Sequence, residues 1–479
     1  MNITEPVRRM ARDRPDAVAL IRRDGSTPSY RELDRAIDHA AHRLADAGVK
    51  AGDVVIVVVD GHYKVVVLQA ALARMGAAAS TPTLPARYAA AKLVDGATHA
   101  AQHPRTIVID DRWFDRTAIA ASPAYPMHAG DEATAIVIQS SGTTGDHKNI
   151  AMSHRMFTAR HAAQAHRLPL PEDLRQICVR RPSSSYGFSV RMRAWAAGGT
   201  VVNATTPEQV IAMAERHRVT RLVVPPYALD RIVAARSSRD GPIASLEQVE
   251  VGGSFVPETL YAQACQRLCP VLYDNYGVTE AGFIAGGPMA SLDREGGQVG
   301  QIAPGLLVEA IGPDGRVLPP GETGLLHVRT EQAANAYVDA PEASRETFRD
   351  GWIVTGDVGR VDADGMLVLA GRESDHIDVG GYKISPLAIE RALLSLEVIV
   401  DAAAFGARGT NGISELGAAV VAHGPIDRRA LADAMQRHSP RAAPNFVIKV
   451  DVIPRNDAGK ILRRELAAIA ASRGAVDRM

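Results

Sequence analysis

The sequence predicts an α/β fold, and three observations carry that prediction. Apolar runs of strand length alternate with helical patterns over several hundred residues, as parallel sheets connected by helices require. One such run, residues 135–138, empties into a loop rich in glycine and hydroxyls. After Pro304-Gly305 the pattern changes to short alternating strands separated by Pro/Gly turns. The expected organisation is a large N-terminal domain of packed, mostly parallel sheets plus a β-rich subdomain at 1–371, a linker at 372–375, and a small α+β C-terminal domain at 376–479.

Residues 17–21 read as a strand. Ser29-Tyr-Arg-Glu32 has the spacing of a capping box, and Leu33, Ile37, Ala40, Ala41 and Leu44 continue it as a helix that Gly48 stops. Residues 54–59 form a continuous β-branched run, which suits a strand buried on both faces. A helix at 68–75 and a strand at 106–109 follow, and behind the loop come a helix at 156–166, a strand at 200–202, a helix at 207–217 and a strand at 221–224. In the β-rich part, strands at 308–311 and 325–328 are separated by the turns Pro313-Asp-Gly315 and Pro319-Pro-Gly-Glu-Thr-Gly324. The last hundred or so residues have their own apolar elements at 387–396, 417–421 and 431–435.

Lys+Arg and Asp+Glu each total 54 in 479 residues, so the chain carries no net charge that would argue for nucleic acid or an anionic membrane as partner. Its 46% hydrophobic and 23% charged content suits a soluble globular protein. Cys178, Cys265 and Cys269 are too few and odd in number for a disulfide framework, and Cys265 and Cys269 read as a buried structural pair. No signal-peptide core and no membrane-length apolar run is present, so a cytoplasmic protein is expected.

The loop holds Ser140, Ser141, Gly142, Thr143, Thr144 and Gly145, with Lys148 three residues on. Glycines bring backbone N–H groups close to an anion, hydroxyls donate further hydrogen bonds, and lysine adds a mobile charge. The spacing does not match an ordinary P-loop, because the lysine does not directly follow the second glycine. Four further constellations follow in order. They are Asp274-Asn-Tyr-Gly-Val-Thr-Glu280, read as one short turn after a strand at 271–273; Thr355-Gly-Asp357, also read as a turn; Gly371-Arg372; and Pro454-Arg-Asn-Asp-Ala-Gly-Lys460. Singly, each is an ordinary surface turn.

Together these motifs resemble the AMP-forming, adenylate-forming superfamily of acyl- and aryl-CoA synthetases, nonribosomal peptide adenylation domains and luciferases. The resemblance spans about residues 15–464. It implies a large domain with a mobile C-terminal domain and two steps. A carboxylate attacks the α-phosphate of Mg-ATP, giving an acyl-adenylate and pyrophosphate, and a thiol then expels AMP. Ser140, Ser141, Thr143, Thr144 and Lys148, within the Gly142 and Gly145 loop, would hold the β- and γ-phosphates. Thr279 would donate to the α-phosphate and Glu280 would coordinate Mg²⁺. Tyr276 would stack beside the adenine, with Gly252, Gly253 and Ser254 on its other side and Asp274 accepting from the amino group. Asp357 would accept the ribose hydroxyls, Arg372 would reach ribose and phosphate, and Lys460 would bridge carboxylate and α-phosphate.

The chain departs from the family pattern in two places. His147-Lys148-Asn149 stands where Pro-Lys-Gly is usual, and Ser374 stands where the hinge generally has Asp or Lys. The acid pocket would draw on Ser185, Tyr186, Phe188, Tyr227, Phe255 and Phe283. These would form an aromatic lining for an aryl or short- to medium-chain acid, although plain core packing would place aromatics there equally well. Arg191 and Arg193 read either as solvated or salt-bridged residues or as partners of a second carboxylate. Gly380 and Gly381 match the loop lining the thiol tunnel, which serves CoA and carrier-protein pantetheine alike. The partners implied are a small carboxylic acid and CoA, or a carrier protein in its place. Transfer to an amine or hydroxyl is less supported, and a non-catalytic nucleotide-binding paralogue would be expected to lack Lys460, Glu280 or Asp357, all of which are present.

Overall fold

A computed structural model describes residues 1–95, 103–128, 130–140, 148–236, 241–294, 296–379, 382–408, 414–438, 443–455, 461–473 and 477–478. The fold is α/β, built on two large sheets. The smaller has the order Thr106–Ile109, Ala91–Asp95, Val54–Val58, Ala78–Ser80, Thr134–Ser140, Lys148–Ser153, parallel except for the last pair. The expected strand at 135–138 is thus present. It does not lead straight into a helix, however, because Lys148–Ser153 returns beside it as an antiparallel strand before the helix His154–Arg167 begins.

The larger sheet starts with parallel strands Leu20–Ile21, Thr200–Val202, Arg175–Cys178, Arg221–Val224, Gln248–Gly252 and Leu272–Val278. It continues antiparallel through Gly282–Pro288, Gln298–Ile302, Met366–Arg372, Trp352–Val361, Gly324–Arg329 and Leu307–Ile311. The β-rich part is therefore hydrogen-bonded to the parallel part as one sheet. Both presumed turns lie within strands: Asp274 to Val278 completes Leu272–Val278, and Thr355-Gly-Asp357 sits inside Trp352–Val361. Neither motif has the alternation that marks a strand, since each places glycine where the backbone must bend.

Local chemistry explains the helices that brace these sheets. Ser29 and Glu32 form the expected capping box at the start of Tyr30–Asp46, and Gly48 takes a left-handed φ of 78° just past its end. Val54–Val58 is buried only at Val55 and Ile56 and is partly open at its ends, so it is not covered on both faces along its whole length. Helices Tyr30–Asp46, His62–Met75, His154–Arg167 and Ser185–Ala196 share one apolar core with strands of both sheets, including Val55, Ala79, Leu20 and Val201. Trp195 Nε1 donates to the Ala19 carbonyl at 2.9 Å, which ties the helix Ser185–Ala196 to the first strand. Helices Pro207–Arg216, Pro226–Ala235 and Glu258–Arg267 cover the other face of the parallel strands.

Residues beyond Arg372 form a two-stranded ribbon, Ile377–Val379 with Tyr382–Ile384, and a sheet of Ile399–Arg408, Ser414–Ala422, Phe446–Lys449 and Asp477–Arg478, with their own apolar cores. The helix Pro386–Leu394 touches the large sheet. There Ser385 Oγ donates to the Ala370 carbonyl at 2.8 Å, and the Arg391 guanidinium lies 5.1 Å from the Phe255 ring centre. The three cysteines are free thiols, and among the described residues no helix is long and apolar enough to cross a membrane.

Candidate active site

The polar residues of the motifs gather along one edge, where the end of the parallel strands meets the antiparallel part of the large sheet. Asp357 and Arg372 are direct cross-strand partners, so the ladder itself sets their side chains together. Arg372 Nε donates to Asp357 Oδ1 at 2.6 Å, and the Tyr276 hydroxyl donates to Asp357 Oδ2 at 2.6 Å. Asp357 is 4% exposed, and a buried carboxylate is tolerated because both oxygens are paired. Burial alone would weaken the Arg372 charge, but Asp357 outweighs it and holds the guanidinium protonated. Gly356 gives the strand a left-handed φ of 73°, which turns Asp357 toward Tyr276.

A second cluster centres on Glu280. The Tyr337 hydroxyl donates to Glu280 Oε1 at 2.7 Å, and Lys148 Nζ lies 5.0 Å from the Tyr337 ring centre. Tyr337 is fixed through its neighbours: Val338 N donates to the Asn149 carbonyl at 2.7 Å, and Asn149 donates to the Asp339 carboxylate from its backbone and its side chain at 3.0 and 2.6 Å. The strand carrying Lys148 therefore also positions the tyrosine that binds Glu280. Ser140 is buried and lies opposite Lys148 in the ladder, while Ser141 to Gly145, with Thr143 and Thr144, fall outside the described residues.

Thr279 is held from behind. Arg160, on the helix His154–Arg167, donates from Nη2 to the Thr279 carbonyl at 2.8 Å and from Nη1 to Ser185 Oγ at 3.3 Å. Burial pulls the Arg160 pKa down to about 9, and the nearby Glu280 charge opposes that. The chain can pass this tightly only because Gly277 has no side chain: a Cβ there would lie 2.2 Å from the Gly282 carbonyl oxygen. Arg160 and Tyr337 carry no local motif, so sequence reading missed them.

Gly252 ends the strand Gln248–Gly252 and Gly253 and Ser254 follow it as a bend, with Gly252 beside Asn275 and with Arg180 Nη2 donating to the Gly252 carbonyl at 3.0 Å. Asp274, on the neighbouring strand, is pushed up to about 7 by burial. Ser374 lies in a single helical turn, Glu373–Asp375, directly after Arg372. Lys460, Gly380 and Gly381 lie outside the described residues.

The aromatics expected to line the acid pocket fall into different packing layers. Phe188 is fully buried and packs on Phe157, 5.0 Å between ring centres, and Phe283 sits in a core with Ala163, Leu168 and Ala303. Phe255 packs on the C-terminal core, and Tyr227 is 37% exposed on the helix Pro226–Ala235. Core packing explains the two phenylalanines, since an apolar ring inside a helix or strand turns to the nearest dry layer. Ser185 and Tyr186 stay beside the motif residues, Ser185 accepting from Arg160 and Tyr186 from Asn275, with the Tyr186 hydroxyl tied into a buried polar network. Tyr186 and Asn275 both donate to Glu250 Oε1, Asn275 at 2.7 Å, while Arg221 pairs with Glu250 Oε2 and with Gln176.

The donor set fits a magnesium ion bound with a nucleotide. Among the described residues no group of three or more His, Cys, Asp or Glu could hold a metal by itself, and a hard cation bound through one carboxylate and phosphate oxygens needs only Glu280.

The family model for the AMP-binding enzyme matches residues 7–338. Surfactin synthase subunit 2 of Bacillus subtilis (strain 168) is 27% identical over 96% of this chain, which spans 14% of that protein's length. Indoleacetate–CoA ligase of Aromatoleum aromaticum is 30% identical over 73% of this chain and 70% of its own. An amide bond synthetase from Marinactinospora thermotolerans has a TM-score of 0.84 at 26% identity, covering 98% of this chain and 99% of its own. O-succinylbenzoate coenzyme A synthetase from Bacillus subtilis, in complex with ATP and magnesium, shares the fold with a TM-score of 0.82 at 24% identity, over 96% of this chain and 98% of its own.

Proposed function

The chain belongs to the AMP-binding enzyme family, and we propose that it is an AMP-forming acid–thiol ligase that activates a carboxylic acid with ATP and passes the acyl group to CoA. The observation that carries this reading is the joining of two clusters through the short segment from Tyr276 to Glu280. One is Asp357 with Tyr276 and Arg372; the other is Glu280 with Tyr337 and Lys148. A ribose diol and a polyphosphate need such a spread of acceptor and cationic groups.

In the first step a carboxylate oxygen bonds to the α-phosphorus and the bond to pyrophosphate breaks. Both reactants are anions, so the positive charge of Lys148, Arg372 and Lys460 and the donors Thr279, Ser140, Ser141, Thr143 and Thr144 offset their repulsion. Glu280 would hold the magnesium ion that accompanies the nucleotide, and that ion would supply charge neutralisation on the phosphates. Asp357 accepts from the ribose, Tyr276 stacks beside the base, and Asp274 and the 252–254 strand end line the base's edges. In the second step a thiol attacks the acyl carbon and AMP leaves. We infer that residues 376–479 rotate about 372–375 between the steps, removing Lys460 and bringing Gly380 and Gly381 to the thiol path.

A second reading, transfer to carrier-protein pantetheine, is supported by the likeness to the surfactin synthase subunit over nearly the whole chain. Product analysis separates the two. Incubation with ATP, Mg²⁺, a panel of acids and either CoA or a pantetheinylated carrier should yield AMP and acyl-CoA in equal amounts. Acylation of the carrier alone selects the second reading, and formation of ADP in place of AMP contradicts both.

A further inference from the structure

The acid side of the cleft holds more buried positive charge than its own carboxylates answer. The helix Ser185–Ala196 begins at the cleft with Ser185 and Tyr186 and packs on the sheet face carrying Gln176, Cys178, Arg221 and Glu250. Arg221 is answered by Glu250 and Gln176, and Arg193 lies near the same glutamate and donates to the Leu168 carbonyl at 2.5 Å. Arg191 has no such answer. It is 3% exposed, its Nη1 has no hydrogen-bond partner, and among the described residues no carboxylate stands within ion-pair distance.

The surroundings of Arg191 resemble half of an anion site. It lies near the Cys178 thiol at the end of Arg175–Cys178 and the His62 imidazole at the start of His62–Met75. His62 Nδ1 is also buried and unpartnered, and burial, with the Arg191 charge second, keeps that ring neutral by lowering its pKa to about 3. Arg180, which donates to the Gly252 carbonyl, and Arg221 lie near the same thiol, which puts Arg191 in the neighbourhood of the strand end at Gly252. Cys178 and His62 are each only partly buried. A buried guanidinium without a counter-charge is costly, and a ligand carboxylate would remove that cost.

We propose that the acid activated by this chain is a dicarboxylic acid, whose second carboxylate pairs with Arg191 beside His62 while the first is adenylated. This rests on the adenylation reading above and names its substrate class. Arg191 is thereby neither solvated nor salt-bridged within the chain. The loss of Phe188 and Phe283 to the cores agrees with a polar tail rather than an aryl ring.

The test is ATP–pyrophosphate exchange with chain-matched pairs (succinate and butyrate, glutarate and valerate, adipate and hexanoate), in wild type, Arg191→Met and Arg191→Lys. Melting curves of each protein with each acid, without ATP, run alongside. At least one dicarboxylic acid should exceed its partner in kcat/KM by about 10- to 100-fold, the size of a charged hydrogen-bonded contact. Arg191→Met should erase that preference through KM, Arg191→Lys should keep part of it, and neither should lower Tm, because the charge removed or replaced has no partner in the unliganded chain. A lowered Tm with the preference intact would mark a structural arginine and overturn the proposal. Exchange with monocarboxylic acids that equals or exceeds every dicarboxylic acid would overturn it too, while leaving adenylation standing. If no acid supports exchange, a dicarboxylate-induced Tm rise that Arg191→Met removes keeps the anion site and rejects adenylation; without that rise, both fall.

Discussion

The Tyr337 hydroxyl donates to Glu280 Oε1 at 2.7 Å, joining residues 57 positions apart. One carboxylate oxygen is thereby fixed, which leaves the other to accept a further partner. Because Glu280 is read as the magnesium ligand, Tyr337 acts as its positioning residue, and outer partners of metal ligands typically contribute about 10- to 100-fold in metal affinity or activity. Tyr337→Phe should raise the magnesium concentration needed for half-maximal exchange by about tenfold. A magnesium titration at saturating ATP checks this, and an unchanged requirement would detach Glu280 from the metal.

Asp357 receives both Tyr276 and Arg372, so its carboxylate is held in one pose before any nucleotide arrives. Asp357→Asn keeps the shape but loses the charge-assisted bonds, each about 1.5–3 kcal/mol. The expected outcome is a KM for ATP raised by about 10- to 100-fold with a smaller change in the KM for the acid, read from initial rates with each substrate varied.

Arg160 holds the Thr279 carbonyl at 2.8 Å from a buried position. Arg160→Met would leave that oxygen and the Gln332 carbonyl with fewer donors, at about 1–3 kcal/mol of stability. Denaturant midpoints should fall accordingly, and kcat should fall with them because Thr279 loses its support.

Burial raises Asp274 from 3.8 to about 7. The folded chain therefore binds a proton between pH 4 and 7 that the unfolded chain does not, so this group penalises the native state above pH 7 and the penalty fades as pH falls toward 4. Asp274→Asn should raise stability at pH 8 by about 1–2 kcal/mol and leave it unchanged near pH 4. Melting curves at the two pH values decide it.

Several features were legible in the sequence because their determinants are local. The capping box at Ser29 and Glu32 and the β-branched strand at 54–58 are set by residues within a few positions, and the motifs at 274–280 and 355–357 were legible as residue patterns although their turns lie within strands. Other features depend on contacts that no local pattern records. Arg160 meets Thr279 across 119 residues and Tyr337 meets Glu280 across 57. An aromatic in a pocket-lining stretch looks the same whether it faces ligand or core, so Phe188 and Phe283 could be assigned only once the packing was known. The return strand Lys148–Ser153 was hidden because its first two residues are polar and its apolar run is short.

The most direct test of adenylation is ATP–pyrophosphate exchange with no thiol present, over aryl, short aliphatic, dicarboxylic and amino acids, in wild type and Lys460→Ala. Adenylation predicts exchange with one class of acid that falls to background in the variant. Absence of exchange with every acid, in a protein that still binds ATP, would contradict it.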